Sequence, residues 1–237
     1  MIEKTVALLS YPRSGSNWLR YIIEVVYKKP TQTPHFADGT TQGGMNGPLA
    51  ELLNGQIKLN KSYSPVIHTH DIGDKGDAQD IIFTIRNYKE FGAGFEGTNI
   101  ERYIRILKSF EQFRWHGNPN YPDDDPREPK KLLIRYEDLI NEEKIKSIFA
   151  KLNVFFEVEH EKYEKDIDDF IENLKGHRKT SMHTYETYNI KTLTKGKDPL
   201  FHSKQSLQAD LKKIDEQVKS KNPALFEKYL KIYEEPN

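Results

Sequence analysis

Residues 5–27, TVALLSYPRSGSNWLRYIIEVVY, constrain this chain more than any other stretch. Val6-Ala7-Leu8-Leu9 is a short continuous apolar run, the pattern of a buried parallel strand. Trp18 to Val26 carries apolar side chains at 18, 19, 22, 23, 25 and 26, which predicts a largely buried helix. Between them lies Pro12-Arg13-Ser14-Gly15-Ser16-Asn17. A strand that feeds a helix through glycine, hydroxyls and one cation is an anion-binding device. Backbone N–H groups and the positive end of the helix dipole converge there on one point. The point is read as the seat of a phosphate or phosphosulfate.

The loop is not an ATP or GTP loop of the usual kind, because G-x-x-x-x-G-K-[ST] occurs nowhere in the chain. Tyr11-Pro12-Arg13-Ser14-Gly15-Ser16-Asn17-Trp18 resembles the 5′-phosphosulfate loop of sulfotransferases that use 3′-phosphoadenosine 5′-phosphosulfate (PAPS). That family runs Tyr-Pro-Lys/Arg-Ser/Thr-Gly, two hydroxyl or amide residues, then Trp. The resemblance implies that Arg13, Ser14, Gly15, Ser16, Asn17 and Trp18 bind the donor.

Further segments resemble the family in the same order. Ser64-Pro65-Val66-Ile67-His68-Thr69-His70 reads as a strand, so alternation puts His68 and His70 on one side. It is similar to Ser-Pro-x-x-x-Lys-Thr-His, whose last histidine is the catalytic base. His70 then takes that role. His68 departs from the family's lysine and could share its contact with the sulfuryl group only when protonated. Ile81-Ile82-Phe83-Thr84-Ile85 is a strong buried strand. It leads into Arg86-Asn87-Tyr88, which resembles the 3′-phosphate strand. Arg86 is the expected bidentate fork for that phosphate. Tyr88 replaces the usual proline, and Gly94 stands where the family has a phosphate-binding serine.

Lys131 to Tyr136 is the next strand, and with Glu137-Asp138-Leu139 it resembles Leu-x-Tyr-Glu-Asp-Leu. By resemblance Tyr136 meets the adenine. Thr180 and Met182 loosely match a Thr-Ser-Phe pair that flanks it. Lys195 and Gly196 stand where the family's Arg-Lys-Gly grips the 3′-phosphate, with Arg178 or Lys197 as substitutes.

Two competing motifs fail on context. Gly92-Ala93-Gly94-Phe95-Glu96-Gly97 fits G-x-G-x-x-G but does not directly follow a strand. His68-Thr69-His70-Asp71 lacks the further histidine and aspartate of dinuclear hydrolases, so no metal is expected. Residues 28–65 are punctuated by glycine and proline, with one short helix expected near Leu49–Leu53. Acceptor recognition and disorder are both open for them. Amphipathic helices are expected over Thr98–Phe113, Glu142–Leu152, His160–Leu174, Leu207–Val218 and Ala224–Tyr233.

The 237 residues fit a single domain, 1–237. The expected fold class is α/β: a central parallel sheet with helices on both faces, in a P-loop-like nucleotide-binding architecture. Lys+Arg and Asp+Glu both count 36, which argues against a nucleic-acid partner held by bulk attraction. Without cysteine there is no disulfide framework and no thiolate zinc site. No apolar run approaches the ~20 residues of a membrane span, and no signal segment opens the chain. A soluble, cytoplasmic protein is expected, without the anchor of Golgi sulfotransferases.

The function expected from the resemblance is transfer of the sulfuryl group of PAPS to an acceptor hydroxyl, a sugar or other small polar molecule. Such a transfer needs positioning and electrostatic stabilisation rather than covalent participation. An imidazole, with an ordinary pKa of about 6.5, takes the acceptor's proton at neutral pH. Two alternatives stand beside it: a P-loop-like kinase or hydrolase, and a non-catalytic nucleotide-binding protein on the same fold.

Overall fold

The structure, a computed structural model, describes residues 4–11, 14–32, 57–60, 62–71, 73, 77–88, 100–114, 128–181, 215–216 and 218–234. Five strands are present among them: β1 (Val6–Ser10), β2 (Thr31–Gln32), β3 (Val66–Thr69), β4 (Asp80–Ile85) and β5 (Lys131–Arg135). The helices are α1 (Ser16–Tyr27), α2 (Ile100–Glu111), α3 (Tyr136–Leu139), α4 (Ile145–Phe156) and α5 (His160–Glu172). Residues 174–181 and most of 218–233 are also helical. The class is α/β, with helices around a central parallel sheet.

The strands form one sheet in the order β2-β3-β1-β4-β5, and every pairing is parallel. Continuous apolar runs explain this. All of β1, β3 and β4 is buried, so both faces of the central strands are covered, as a parallel sheet requires. Strand β1 is central. The chain leaves it to build β2 and β3 on one side, then β4 and β5 on the other. The loop after β1 therefore lies at the switch point of the sheet, where open α/β sheets bind ligands.

The chain packs as two compact units. The first comprises residues 1–85 and 113–195 and holds the whole sheet. Its core joins Val6 and Leu8 of β1, Val66, Ile82 and Ile134 to α1, α4 and α5. Trp18 stacks on Tyr21 with ring centroids 5.6 Å apart and packs on Phe170 of α5. Tyr27, fully buried, donates to Asn153 Oδ1 of α4 at 2.7 Å.

The second unit comprises residues 86–112 and 196–237. Helix α2 buries Tyr103, Ile104, Ile106, Leu107 and Phe110 along one face. Tyr88 packs its ring on Tyr103 and donates to Asp215, which Lys219 also meets at 2.7 Å. The C-terminal helical run docks by Phe110 against Tyr229 and by Lys228 on Glu111, 2.7 Å apart.

Candidate active site

The phosphate-loop geometry grows from the end of β1. After Ser10, buried Tyr11 offers its carbonyl to the N–H of Ser14 at 3.1 Å, which turns the chain back. Gly15 then takes a left-handed conformation, φ 82 and ψ 14, and serves as the N-cap of α1. A residue with a side chain rarely adopts it. The first intrahelical bond runs from Leu19 N–H to the Gly15 carbonyl, 3.0 Å. The N–H groups of Ser16, Asn17 and Trp18 thus have no acceptor within the helix by position.

Polar side chains collect at the same place. Ser14 Oγ is fully buried, and it and Asn17 Oδ1 have no hydrogen-bond partner among the described residues. Thr84, paired in register with Ser10, is also fully buried, with Oγ1 in the same condition. A buried hydroxyl left without a partner costs about 1–3 kcal/mol. Together with the first N–H groups of α1, the Ser14 hydroxyl is a donor that fits an oxygen-rich anion, whereas Asn17 could donate only through its amide nitrogen.

The histidines meet this loop at its foot. Both imidazoles reach the residue that closes β1. The Ser10 hydroxyl lies 3.1 Å from His68 Nε2 and 3.1 Å from His70 Nδ1, and His70 Nδ1 donates to the Ser10 carbonyl at 2.7 Å. The rings stand edge to face, 4.8 Å apart. Beyond them the chain turns sharply: Asp71 N–H donates to Thr69 Oγ1 at 2.9 Å, and Gly73 N–H to Asp71 Oδ1 at 3.0 Å. The turn holds the backbone on either side of His70.

His70 is half-buried, whereas His68 is buried. Burial first, then His70 and Arg20, holds the His68 pKa well below the ordinary imidazole value. His68 is therefore neutral at neutral pH.

Helix α1 also carries opposite charges at i and i+4, Arg20 and Glu24, joined through Thr31. Arg20 and Glu24 are fully buried, and Arg20 Nε donates to Thr31 Oγ1 at 2.9 Å while that hydroxyl donates to Glu24. Burial lowers the Arg20 pKa to about 10, and Glu24 opposes the shift.

The other expected site residues fall as follows. The Trp18 indole belongs to the core and donates to the Leu139 carbonyl at 3.1 Å, so only its backbone faces the loop end of α1. The Tyr136 ring lies against Gly15. Thr180 is in the helical run 174–181, where its hydroxyl donates to the Gly176 carbonyl at 3.0 Å and neighbours Tyr21 of α1. Tyr21 also bonds His177 at 3.0 Å. Arg86 directly follows β4, belongs to the second unit, and accepts the Tyr103 hydroxyl on its carbonyl at 2.9 Å. Arg13, Gly94, Met182, Lys195, Gly196 and Lys197 lie outside the described residues.

Sequence reasoning missed Ser10, Thr84 and the Arg20–Glu24 pair. Ser10 and Thr84 are lone hydroxyls at the ends of apolar strands, which carry no spacing signal. The i, i+4 opposite charges inside an apolar helix were the one available sign of the buried pair.

Among the described residues no group of three or more His, Cys, Asp or Glu is placed to hold a metal, and no helix is long and apolar enough to cross a membrane. Neither a protein-family profile nor a curated protein matches the chain. Among solved structures, the mouse sulfotransferase SULT7A1 complexed with PAP is similar at 14% identity, over 99% of this chain and 89% of that one, with a TM-score of 0.46.

Proposed function

We propose that the protein is a PAPS-dependent sulfotransferase that acts on a hydroxyl of a small polar or sugar acceptor, with His70 as the base. The observation that carries the reading is the contact of His70 with Ser10. It ties an imidazole from β3 to the last strand residue before an anion-binding loop, at the switch point of a parallel sheet. Arg13, the Ser14 and Ser16 hydroxyls, the Asn17 amide and the first N–H groups of α1 hold the 5′-phosphosulfate. Arg86, with Lys195 and Gly196, takes the 3′-phosphate. Tyr136, Thr180 and Met182 bound the adenine.

In the transfer, His70 Nε2 accepts the proton of the acceptor hydroxyl as its oxygen bonds to sulfur. The bond between sulfur and the bridging phosphate oxygen breaks, and the electron pair leaves with 3′-phosphoadenosine 5′-phosphate (PAP). The N–H groups of the loop stabilise that developing charge. The proton passes from His70 to solvent. No step calls on a metal. A cytoplasmic setting and a single working domain of 1–237 complete the proposal.

Thermal stability with added ligand tests the reading. PAP and PAPS are expected to raise the unfolding temperature and ATP to leave it unchanged. Stabilisation by ATP with magnesium alone would favour a kinase or hydrolase instead. The neutral His68 in place of a lysine favours a second reading, a protein that binds the nucleotide without turnover. Transfer of labelled sulfate to any acceptor rules that out.

A further inference from the structure

The Ser10 carbonyl lies 2.7 Å from His70 Nδ1. A carbonyl oxygen only accepts, so Nδ1 carries the proton and the lone pair of the ring sits on Nε2. The Ser10 hydroxyl, 3.1 Å from the same Nδ1, cannot donate there, and its own proton is free for His68 Nε2 at 3.1 Å. One serine therefore holds both rings by two different atoms.

His68 is suited to that hydroxyl. A neutral imidazole offers an acceptor nitrogen, which a lysine or an imidazolium lacks. Its surroundings keep it neutral: it is buried, it faces His70 at 4.8 Å between ring centroids, and the positive charge of Arg20 on α1 acts on it. Beyond the pair, on their own strand, the nearest charged residue is Asp71, which is exposed.

We propose that Ser10 is the positioning residue of the base: its carbonyl fixes the Nδ1–H tautomer of His70, which puts the ring's lone pair on Nε2, and its hydroxyl spaces that ring against a neutral His68. A base held in the wrong tautomer presents a proton where a lone pair is needed, and a wrong tautomer alone can cost orders of magnitude in turnover. The role of His70 as base rests on the sulfotransferase reading; the tautomer does not.

Long-range proton–nitrogen NMR of the full ¹⁵N-labelled chain, free of ligand and above neutral pH, reads the tautomer directly. Loss of signals in His70→Gln assigns the ring. The wild type is expected to show His70 as a single Nδ1–H tautomer. Ser10→Ala keeps the carbonyl and is expected to leave His70 as the Nδ1–H tautomer while it shifts the His68 nitrogen signals, assigned by their loss in His68→Gln, because His68 Nε2 loses its hydroxyl donor; Ser10→Thr is expected to restore the wild-type pattern. A wild-type His70 with its proton on Nε2, or averaged between the nitrogens, overturns the assignment. So does a Ser10→Ala spectrum identical to wild type. If Ser10→Ala does not fold, the wild-type and Ser10→Thr spectra decide alone. A wild type with the fixed tautomer that neither binds PAP nor transfers sulfate supports the Ser10 assignment to the ring and overturns the sulfotransferase reading.

Discussion

A Cβ on residue 15 would stand 2.5 Å from Cδ2 of Tyr136, so the ring after β5 closes directly on the glycine that opens α1. Two elements distant in sequence thereby fix the loop between them. Gly15→Ala meets both the ring and an unfavourable φ of 82. The backbone alone costs roughly 1–2 kcal/mol. A chain of this size loses about 2–4 °C of unfolding temperature per kcal/mol. Gly15→Ala is expected to melt several degrees lower and to lose PAP stabilisation. Tyr136→Ala in the same chain should return part of the melting temperature, because it removes the clash and leaves the strain. Calorimetry of the three variants checks this; a Gly15→Ala that melts with wild type contradicts it.

The Arg20–Glu24 pair makes a separate prediction. Both side chains are fully buried and share Thr31. Removal of one member takes a neighbouring opposite charge from the other buried one, and breaking such a buried pair costs about 3–5 kcal/mol. An apolar pair of similar volume avoids that. Glu24→Leu is therefore expected to be less stable than the double variant Arg20→Met, Glu24→Leu. Urea unfolding orders them, and a double variant that loses as much as or more than the single one contradicts the geometry.

Lys29 sets a pH dependence with a definite sign. Its ammonium donates to the carbonyls of Lys4, at 3.1 Å, and Ser64, and burial lowers its pKa to about 8 from 10.5. At pH 7 folded and unfolded chains both carry the charge, and the folded chain bears the cost of burying it. Above about pH 8 the folded chain releases the proton first. The unfolded chain then binds more protons, so stability rises with pH by up to about 1.4 kcal/mol per unit until the unfolded lysine also titrates. Raised tyrosines such as Tyr27 act in the opposite direction, but only above the ordinary tyrosine value of 10.0. Between about pH 8 and 9.5, Lys29→Met is expected to flatten the slope of unfolding free energy against pH. An unchanged slope contradicts the assignment.

The sheet was largely legible because parallel strands buried on both faces must be apolar runs, and Val6–Leu9, Ile81–Ile85 and the strand around Val66 are such runs. Strand β2 was not. It is two residues long, lies in a proline- and glycine-rich region, and exists through its pairing with Val66 and Ile67. Helix boundaries shifted where local turns decide them. Residues 142–144 were expected to be helical, but the Asn141 side chain accepts the Glu143 N–H at 2.8 Å and delays α4 until Ile145. The helix then continues to a left-handed Glu157.

At the site, the loop and the two histidines could be read from residue types in order along the chain. Trp18 was placed with the donor because it ends the loop motif, yet its size and apolar neighbours draw the indole into the core. Thr180 was read as an adenine contact from a loose motif match alone, and no periodicity there showed the helix against α1 on which it lies. Ser10 was invisible because its value comes from three-dimensional contact across parallel strands, 58 and 60 residues from its partners.

The rate of labelled sulfuryl transfer from saturating PAPS to a panel of sugar and small alcohol acceptors, for wild type and His70→Ala, tests the central claim most directly. The account predicts transfer by wild type and a loss of about 10²–10⁴-fold in His70→Ala, while PAP still stabilises the variant. A His70→Ala chain that transfers sulfate at the wild-type rate would contradict it.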